Sequence, residues 1–411
     1  MSEIELLSPA GSFAALQAAI DAGADSIYFG LEELNMRALS GHNFKLADLP
    51  EIASRCHEKN LKSYLALNTL LYDTDLPLMR QICQKAKEAQ IDAVIASDMA
   101  ALEYLQAIGQ PAHLSTQLNV GNLEALKFFA KYAETIVLAR ELTLEQVCYL
   151  ARKIEQEKIT GPSGKRLKLE VFIHGALCVA ISGKCQMSLA LYNKSANRGE
   201  CLQPCRRKYQ VQDLETGREL VVDNQYIMSP KDLSTVSVLD QIVESGVSVL
   251  KIEGRSRSPE YVFKTTKTYR EALRSLKEGT YHNAKIQIWQ EELKSVYNRG
   301  FWEGGYYLGQ PLGEWAASAG SKTPQKRTYL GKALKYFPKI QVAEFLLEAR
   351  KISLNDRILI IGPKTGLIEL QVGSLHTNGP VSSAVRGETI GLFIGKKIYP
   401  GDQLYLIENR S

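Results

Sequence analysis

The chain has 411 residues, 45% hydrophobic and 23% charged, with a formal net charge of +5, a globular composition long enough for one barrel-sized domain and a smaller companion. No basic leader followed by an apolar run opens the sequence and no apolar stretch is long enough to span a bilayer, so a soluble cytoplasmic protein is expected and membrane classes are excluded. Seven cysteines in such a chain argue against a disulfide framework and for metal binding, redox chemistry or burial.

Short apolar runs recur in chain order at Ile4 to Leu7, Ser26 to Phe29, Ser63 to Leu67, Ala93 to Ala96, His113 to Thr116, Thr135 to Ala139, Leu169 to Ile173 and Ser248 to Ile252. Amphipathic segments such as Phe13 to Ala22 and Leu76 to Ala89 lie between most of them, and small residues precede the next run, as in Ala22-Gly23-Ala24-Asp25. Strands alternating with helices predict βαβ units and a parallel sheet. Eight such units predict an α/β fold of the TIM-like (β/α)8 barrel type, with a doubly wound open sheet as the alternative. No Gly-x-Gly-x-x-Gly follows the first run, so a dinucleotide site has no support.

The spacing is regular except between the seventh and eighth runs, where far more chain intervenes than one helix requires. A loop leaving the carboxyl end of a barrel strand lies on the face that carries chemistry, so the insertion, residues 175–232, is placed to be functional. Within it, Lys208 to Leu214 and Arg218 to Val222 read as a hairpin, and Leu233 to Glu244 as the seventh helix. After the helical segments Tyr261 to Leu276 and Ile286 to Tyr297, periodicity stops. This predicts a barrel domain over 1–305, a linker over 306–328 that few contacts should cross, and a small antiparallel β-barrel over 329–411, where alternating runs are broken by turns such as Asn378-Gly379-Pro380.

Four of the cysteines, Cys178, Cys185, Cys201 and Cys205, fall inside the insertion with six, fifteen and three residues between them. Thiolates are costly to gather unless a cation holds them, so the group favours a four-cysteine metal site. A six-residue gap fits the usual Cys-x2-Cys knuckle of structural zinc poorly and an iron-sulfur cluster better, while unligated thiols or a redox pair stay open. Cys56, Cys83 and Cys148 each occur inside an amphipathic segment and read as core.

The run Glu170-x-Phe172-x-x-Gly175-Ala176-x-Cys178-x4-Gly183-x-Cys185-x-Met187-Ser188 resembles the signature of peptidase family U-32, the collagenase-like peptidase family, at every signature position. Glu5 to Gly11, Ala22 to Asp25 with Tyr28-Phe29-Gly30, Ser229 to Leu233, and Lys251-Ile252-Glu253-Gly254-Arg255 look like the same family, so the likeness spans nearly the whole chain. Length and the appended β-domain resemble its tRNA hydroxylation protein P group. That resemblance implies a prephenate-dependent tRNA uridine hydroxylase forming 5-hydroxyuridine at the wobble position. It also implies a 4Fe-4S cluster on the four cysteines and the tRNA anticodon loop as partner. The family name implies proteolysis, yet no His-Glu-x-x-His, Gly-x-Ser-x-Gly or recognisable Cys/His context is present. A collagenase-like peptidase and an RNA-binding protein with a structural zinc are the rival readings.

Polar residues that end strands should point into the barrel mouth: Asn68, Asp98, Gln117, Arg140, Glu253 and Arg255. Guanidinium forks bind carboxylates bidentately, so Arg140 and Arg255 are expected to hold the dicarboxylate donor, with Asn68 and Gln117 beside them; salt bridges to Glu141 and Glu253 would be the bland alternative. Glu253 is the expected general base, and His174, next to the first cysteine, either tunes the site or is structural. Arg206, Arg207 and Lys208 directly follow the last cysteine. Lys332 and Lys335 belong to a second basic run, interleaved with Tyr329, Tyr336 and Phe337, and both runs are expected to meet RNA phosphates unless they are ordinary solvated faces.

Overall fold

The computed structural model describes residues 4–39, 43–210, 212–217, 226–309, 315–316 and 320–410. Its first part contains strands β1 (Glu5–Pro9), β2 (Ser26–Gly30), β3 (Lys62–Leu67), β4 (Ala93–Ala96), β5 (Ala112–Leu114), β6 (Thr135–Val137), β7 (Lys168–Gly175), β8 (Asp232–Ser234), β9 (Val249–Ile252) and β10 (Phe301–Glu303). β1 to β7 pair in parallel and in sequence order, and β9 closes the ring by pairing in parallel with both β7 and β1. The barrel is therefore eight-stranded, and its strands are the eight apolar runs.

Helices α1 (Phe13–Asp21), α2 (Leu49–His57), α3 (Leu76–Glu88), α4 (Met99–Ile108), α5 (Leu123–Phe129) and α6 (Leu144–Gln156) connect the strands up to β7. α7 (Met187–Tyr192) lies in the insertion, and α8 (Leu239–Glu244), α9 (Pro259–Lys277) and α10 (Asn283–Lys294) follow. Side chains alternate along each strand. Leu6, Ile27, Phe29, Leu65 and Val94 join the core under the helices, while Leu7, Tyr28, Tyr64, Ala93, Ile95 and Val249 form a separate interior cluster. Local signals set the helix ends: Ser12 Oγ accepts from Ala15 N at 3.2 Å, and Gly109 closes α4 at φ 68°. Asp98, read from sequence as a mouth residue, is the N-cap of α4, accepting from Ala100 N at 3.0 Å and from Leu71 N at 3.1 Å.

The expected helix from Leu233 to Glu244 is shorter than predicted. Asp232–Ser234 is instead β8, antiparallel to the end of β7 (His174↔Ser234, Gly175↔Leu233) and parallel to β10, and helix begins only at Leu239. The seventh strand outruns its barrel neighbours and leaves backbone groups that a further strand can pair, which outweighs the helical pattern. The returning half of the expected hairpin, 218–222, lies outside the described residues, as do parts of the linker.

The second part is antiparallel throughout: β11 (Gln325–Phe337), β12 (Val342–Leu347), β13 (Ile352–Ser353), β14 (Arg357–Gly362), β15 (Gly366–Gln371), β16 (Leu375–His376), β17 (Ser383–Ala384), β18 (Thr389–Phe393) and β19 (Gln403–Asn409). Seven of these form one sheet, bulged at Tyr329/Gly331 and Ala333/Lys335, around a single core that includes Leu330, Phe345, Ile358, Ile390 and Leu404. The domain docks on the barrel's outer helices rather than on its mouth. Leu359, Ile361, Leu367 and Ile407 pack with Ala14 and Phe263, and Lys264 bridges Glu292 and Glu369 at 3.3 Å each. Lys396 reaches Asp21 at 3.0 Å and Arg327 reaches Glu260 at 3.4 Å, so more contacts cross to the barrel than the sequence suggests.

Candidate functional site

The insertion leaves β7 at its carboxyl end and folds over the barrel mouth. Leu70 N donates to Asn197 O at 3.0 Å, and Arg198 pairs with Asp75 at 2.5 Å while lying over the Tyr72 ring, 3.9 Å from its centroid. A Cβ on Gly199 would stand 2.3 Å from Asn35 O, so only glycine lets the insertion meet the loop after β2 this closely. The insertion thus roofs a cavity of about 120 Å³ lined by Tyr28, Asn68, Gln117, Phe172, Lys251 and the groups described next.

Arg37, Arg140 and Arg255 converge on Glu253 in that cavity. Arg37 Nη2 is 3.1 Å from Glu253 Oε1, and the Tyr28 hydroxyl shares its proton between Glu253 Oε2 at 3.1 Å and the carbonyl of Ile252 at 3.0 Å. The Arg140 guanidinium lies 3.9 Å above the Phe172 ring and donates to Ala176 O at 3.1 Å. Arg255 is 6% exposed and occupies space that only glycine leaves free, since a Cβ on Gly30 would be 1.9 Å from its Nη1. Arg140 Nε and Arg255 Nη1 are buried with no hydrogen-bond partner. Buried donors are ordinarily satisfied, so these two nitrogens are open to a further acceptor. Arg37 sits in a loop with no motif around it and was not anticipated from sequence.

Burial pushes the Glu253 carboxyl up, but Arg37, Arg140 and Arg255 outweigh it and lower the pKa to about 2. A carboxylate held this low is a weak base, so Glu253 organises the guanidiniums instead of collecting protons. Its contribution to stability is full above its unfolded value of 4.5 and lost as pH falls towards about 2. Replacing Glu253 by Gln leaves three guanidiniums without their carboxylate, and thermal or denaturant unfolding at pH 7 should show a loss of roughly 3 kcal/mol. The penalty should shrink as the pH drops below 4, and a penalty independent of pH would refute this account.

Asn68 and Gln117, expected at the mouth, do line the cavity and are bound to each other. Asn68 Nδ2 donates to Gln117 Oε1 at 2.9 Å, and Gln117 Nε2 donates to Asn68 O at 2.9 Å. Met36 N donates to Asn68 Oδ1 at 3.2 Å, so the pair also fixes the loop that carries Arg37. His174 is not among the cavity-lining side chains. It is 1% exposed, packed among Tyr261, Tyr269 and Phe301, and its Nδ1 is 3.3 Å from the Tyr269 hydroxyl. Burial, with Arg257 adding to it, lowers its pKa to about 3, so the ring is neutral and structural.

Cys178, Cys185 and Cys201 line the cavity with Glu253, and Cys178, Cys201 and Cys205 line an adjoining one with Arg206, Arg257 and Arg299. All four thiols are free and partly buried. Burial pushes the Cys205 thiol up against the pull of Arg206, and Cys178, Cys201 and Cys185 push the same way, so the four share one electrostatic neighbourhood. Among the described residues, no three His, Cys, Asp or Glu side chains stand close enough to hold one ion. Cys178, Cys185, Cys201 and Cys205, with Arg37 and Arg206 as charged neighbours, are the residues that would hold a metal group here. Cys56 and Cys83 are 0% exposed in the core.

The basic residues divide. Arg206 is spent on the scaffold, donating to Ser229 Oγ and Pro230 O at 3.0 Å each and to Leu177 O. Arg207 and Lys208 are exposed, set over the rings of Tyr192 and Tyr226. Lys332 pairs with Glu348 at 2.8 Å, and Lys335 lies 4.8 Å from the Phe337 ring centroid.

A barrel whose carboxyl face is roofed by a cysteine-rich insertion, with an arginine-lined cavity beneath it, defines the class. The model of Peptidase family U32 matches residues 11–317, and the chain belongs to that family. A protein named "Collagenase" from Porphyromonas gingivalis is 48% identical over 412 residues, covering 100% of this chain and 99% of that one. The "tRNA hydroxylation protein P" of Helicobacter pylori is 33% identical over 324 residues, 76% of this chain and 73% of its own length. The "23S rRNA 5-hydroxycytidine C2501 synthase" of Escherichia coli is 37% identical over 271 residues, 66% of this chain and 39% of its own. Among the described residues no helix is long and apolar enough to cross a membrane.

Proposed function

We propose that this chain is a cytoplasmic RNA-modifying enzyme, a tRNA uridine hydroxylase that forms 5-hydroxyuridine at the wobble position with prephenate as hydroxyl donor. The observation that carries the reading is the pair of unpartnered buried guanidinium nitrogens, Arg140 Nε and Arg255 Nη1, in a cavity that three of the four insertion cysteines also line. Relatives named for hydroxylating tRNA and rRNA supply the substrate class.

Cys178, Cys185, Cys201 and Cys205 would hold a four-iron four-sulfur cluster, which supplies one-electron chemistry whose potential depends on neighbouring charge and solvent exposure. Arg140 and Arg255 bind a carboxylate of the donor, Glu253, itself held by Arg37, supplies their countercharge, and Phe172 with Ile95 and Val137 excludes water around the donor's ring. Arg207 and Lys208, exposed beside Tyr192 and Tyr226, meet the anticodon-loop phosphates and bases.

The name of the collagenase relative favours a peptidase as second reading. A peptidase needs a base for its nucleophile or water, and no described histidine lines the mouth cavities. The test is 5-hydroxyuridine in tRNA from cells lacking their own hydroxylase and supplied with this chain, in parallel strains able and unable to make prephenate. Restoration only where prephenate is made is expected. Equal restoration in both strains would remove prephenate as donor. No restoration, together with cleavage of denatured collagen by the purified protein, would make it a peptidase. Tight zinc without iron after anaerobic purification would leave an RNA-binding protein with a structural metal.

A further inference from the structure

Lys251 puts one more cation into the cavity, from the middle of a strand. It is 4% exposed on β9, and its ammonium is 2.7 Å from Glu170 Oε1 on the neighbouring β7. The ammonium faces the rings of Tyr28 and Phe172, 4.5 and 5.5 Å from their centroids. Its only hydrogen-bond partner among the described residues is Glu170, which leaves two of its three donors unspent.

The pair makes little sense as a stabilising device. Glu170 is 0% exposed and its Oε2 has no hydrogen-bond partner, and His113 Nδ1, 4.0 Å away, has none either. Burial lowers the His113 pKa to about 3, so that ring brings no countercharge. Buried ion pairs whose bonding capacity is unfilled are often matched or bettered by two apolar side chains. Two of the ammonium's donors therefore stand open to a further acceptor.

The charges around the cavity say what that is. Arg37, Arg140, Lys251 and Arg255 line it, against Glu253 in the lining and Glu170 behind Lys251, so these side chains carry two more positive charges than negative before the thiols of Cys178, Cys185 and Cys201 in the same lining are counted. Arg37 and Arg140 also line the adjoining cavity, with Cys178, Cys201, Cys205 and Arg257, while Arg299 there is paired with Asp232 at 3.2 Å. The space holds about eight to twelve water-sized groups, the scale of a small organic acid.

We propose that Lys251 forms a second anion subsite in the cavity, taking one carboxylate of a small organic dianion while Arg140 and Arg255 take the other. Lys251 then determines specificity, because a monoanion leaves one subsite unfilled and its charge uncompensated. The inference rests on the hydroxylase reading only for which dianion it is.

The experiment measures equilibrium binding to the full, anaerobically purified chain of prephenate, of phenylpyruvate, which keeps the keto acid but lacks the second carboxylate, and of fumarate and succinate as plain dicarboxylates. Wild type is expected to prefer prephenate to phenylpyruvate by about ten-fold or more, the scale of one charge-assisted contact. Lys251→Met should erase that preference with iron content unchanged. Because Lys251→Met leaves Glu170 buried and uncompensated, Lys251→Met/Glu170→Leu is the folding control, with the same loss of preference and a wild-type melting temperature. If the folded double variant discriminates as wild type does, or if wild type binds none of the dicarboxylates, the subsite is wrong. If prephenate fails but a plain dicarboxylate binds in a Lys251-dependent way, the subsite stands and the donor assignment falls.

Discussion

Replacing any one of Cys178, Cys185, Cys201 and Cys205 by Ala is expected to abolish both the iron and the tRNA modification. Anaerobically purified wild type should be brown with about four irons per chain, and each variant should fall to near zero, since an open coordination position exposes iron to solvent and oxygen. The loss should be large for each of the four, because each removes a thiolate that would hold the cluster. Cys56→Ala, Cys83→Ala and Cys148→Ala should leave iron unchanged. The first two thiols are buried in the core, where burial pushes them up to about 12, so they are no source of thiolate. Iron analysis with absorption spectra decides the matter, and iron lost from a core variant would mean the ligands are misassigned.

The second large effect is expected at the arginines. Arg140→Leu or Arg255→Leu removes a charge-assisted contact worth roughly 1.5 to 3 kcal/mol, and donor affinity should fall by about ten-fold to over a hundred-fold. Iron content should be unchanged, which separates a binding defect from loss of the cluster. Gly30→Ala should act in the same direction, because its Cβ would stand 1.9 Å from Arg255 Nη1, the mobile end of a side chain that can move aside. Titration of each variant with prephenate, alongside 5-hydroxyuridine in tRNA from complemented cells, tests all three. Donor affinity equal to wild type in Arg140→Leu and Arg255→Leu would place the donor elsewhere.

The barrel was legible because its strands are buried on both faces. Runs such as Ser63 to Leu67 and Ala93 to Ala96 are apolar on both the helix side and the interior side and are separated by helical periodicity, a pattern shared with doubly wound sheets, and eight such runs pointed to the barrel. The insertion was legible from spacing alone, and its cysteines from their proximity in sequence. β8 was not, since Asp232-Leu233-Ser234 looks like the start of a helix until the exposed end of β7 offers it partners.

Roles within the mouth were less legible than positions. Asn68, Gln117, Arg140, Glu253 and Arg255 all reach the cavity as their places at strand ends predict, but whether Glu253 is a base or a countercharge depends on how many cations surround it. Arg37 comes from an aperiodic loop, and no local pattern announces that this loop folds inward. His174 and Cys178 lie close together in sequence, yet one is enclosed by Tyr261, Tyr269 and Phe301 while the other lines the cavity.

By itself the sequence determined the order of the eight barrel strands, the place of the insertion and the four thiols within it, because these follow from local periodicity and from spacing along the chain. Only the tertiary structure decided that Arg37 and Lys251 share a cavity with Arg140 and Arg255, that Arg206 is spent on backbone carbonyls, and that the terminal β-domain rests on α1 and α9. Those outcomes depend on which side chains a closed barrel brings within a few ångströms of one another. Charges separated by two hundred residues acquire their pKa values and free donors from that proximity, which is a property of the folded arrangement and not of any segment.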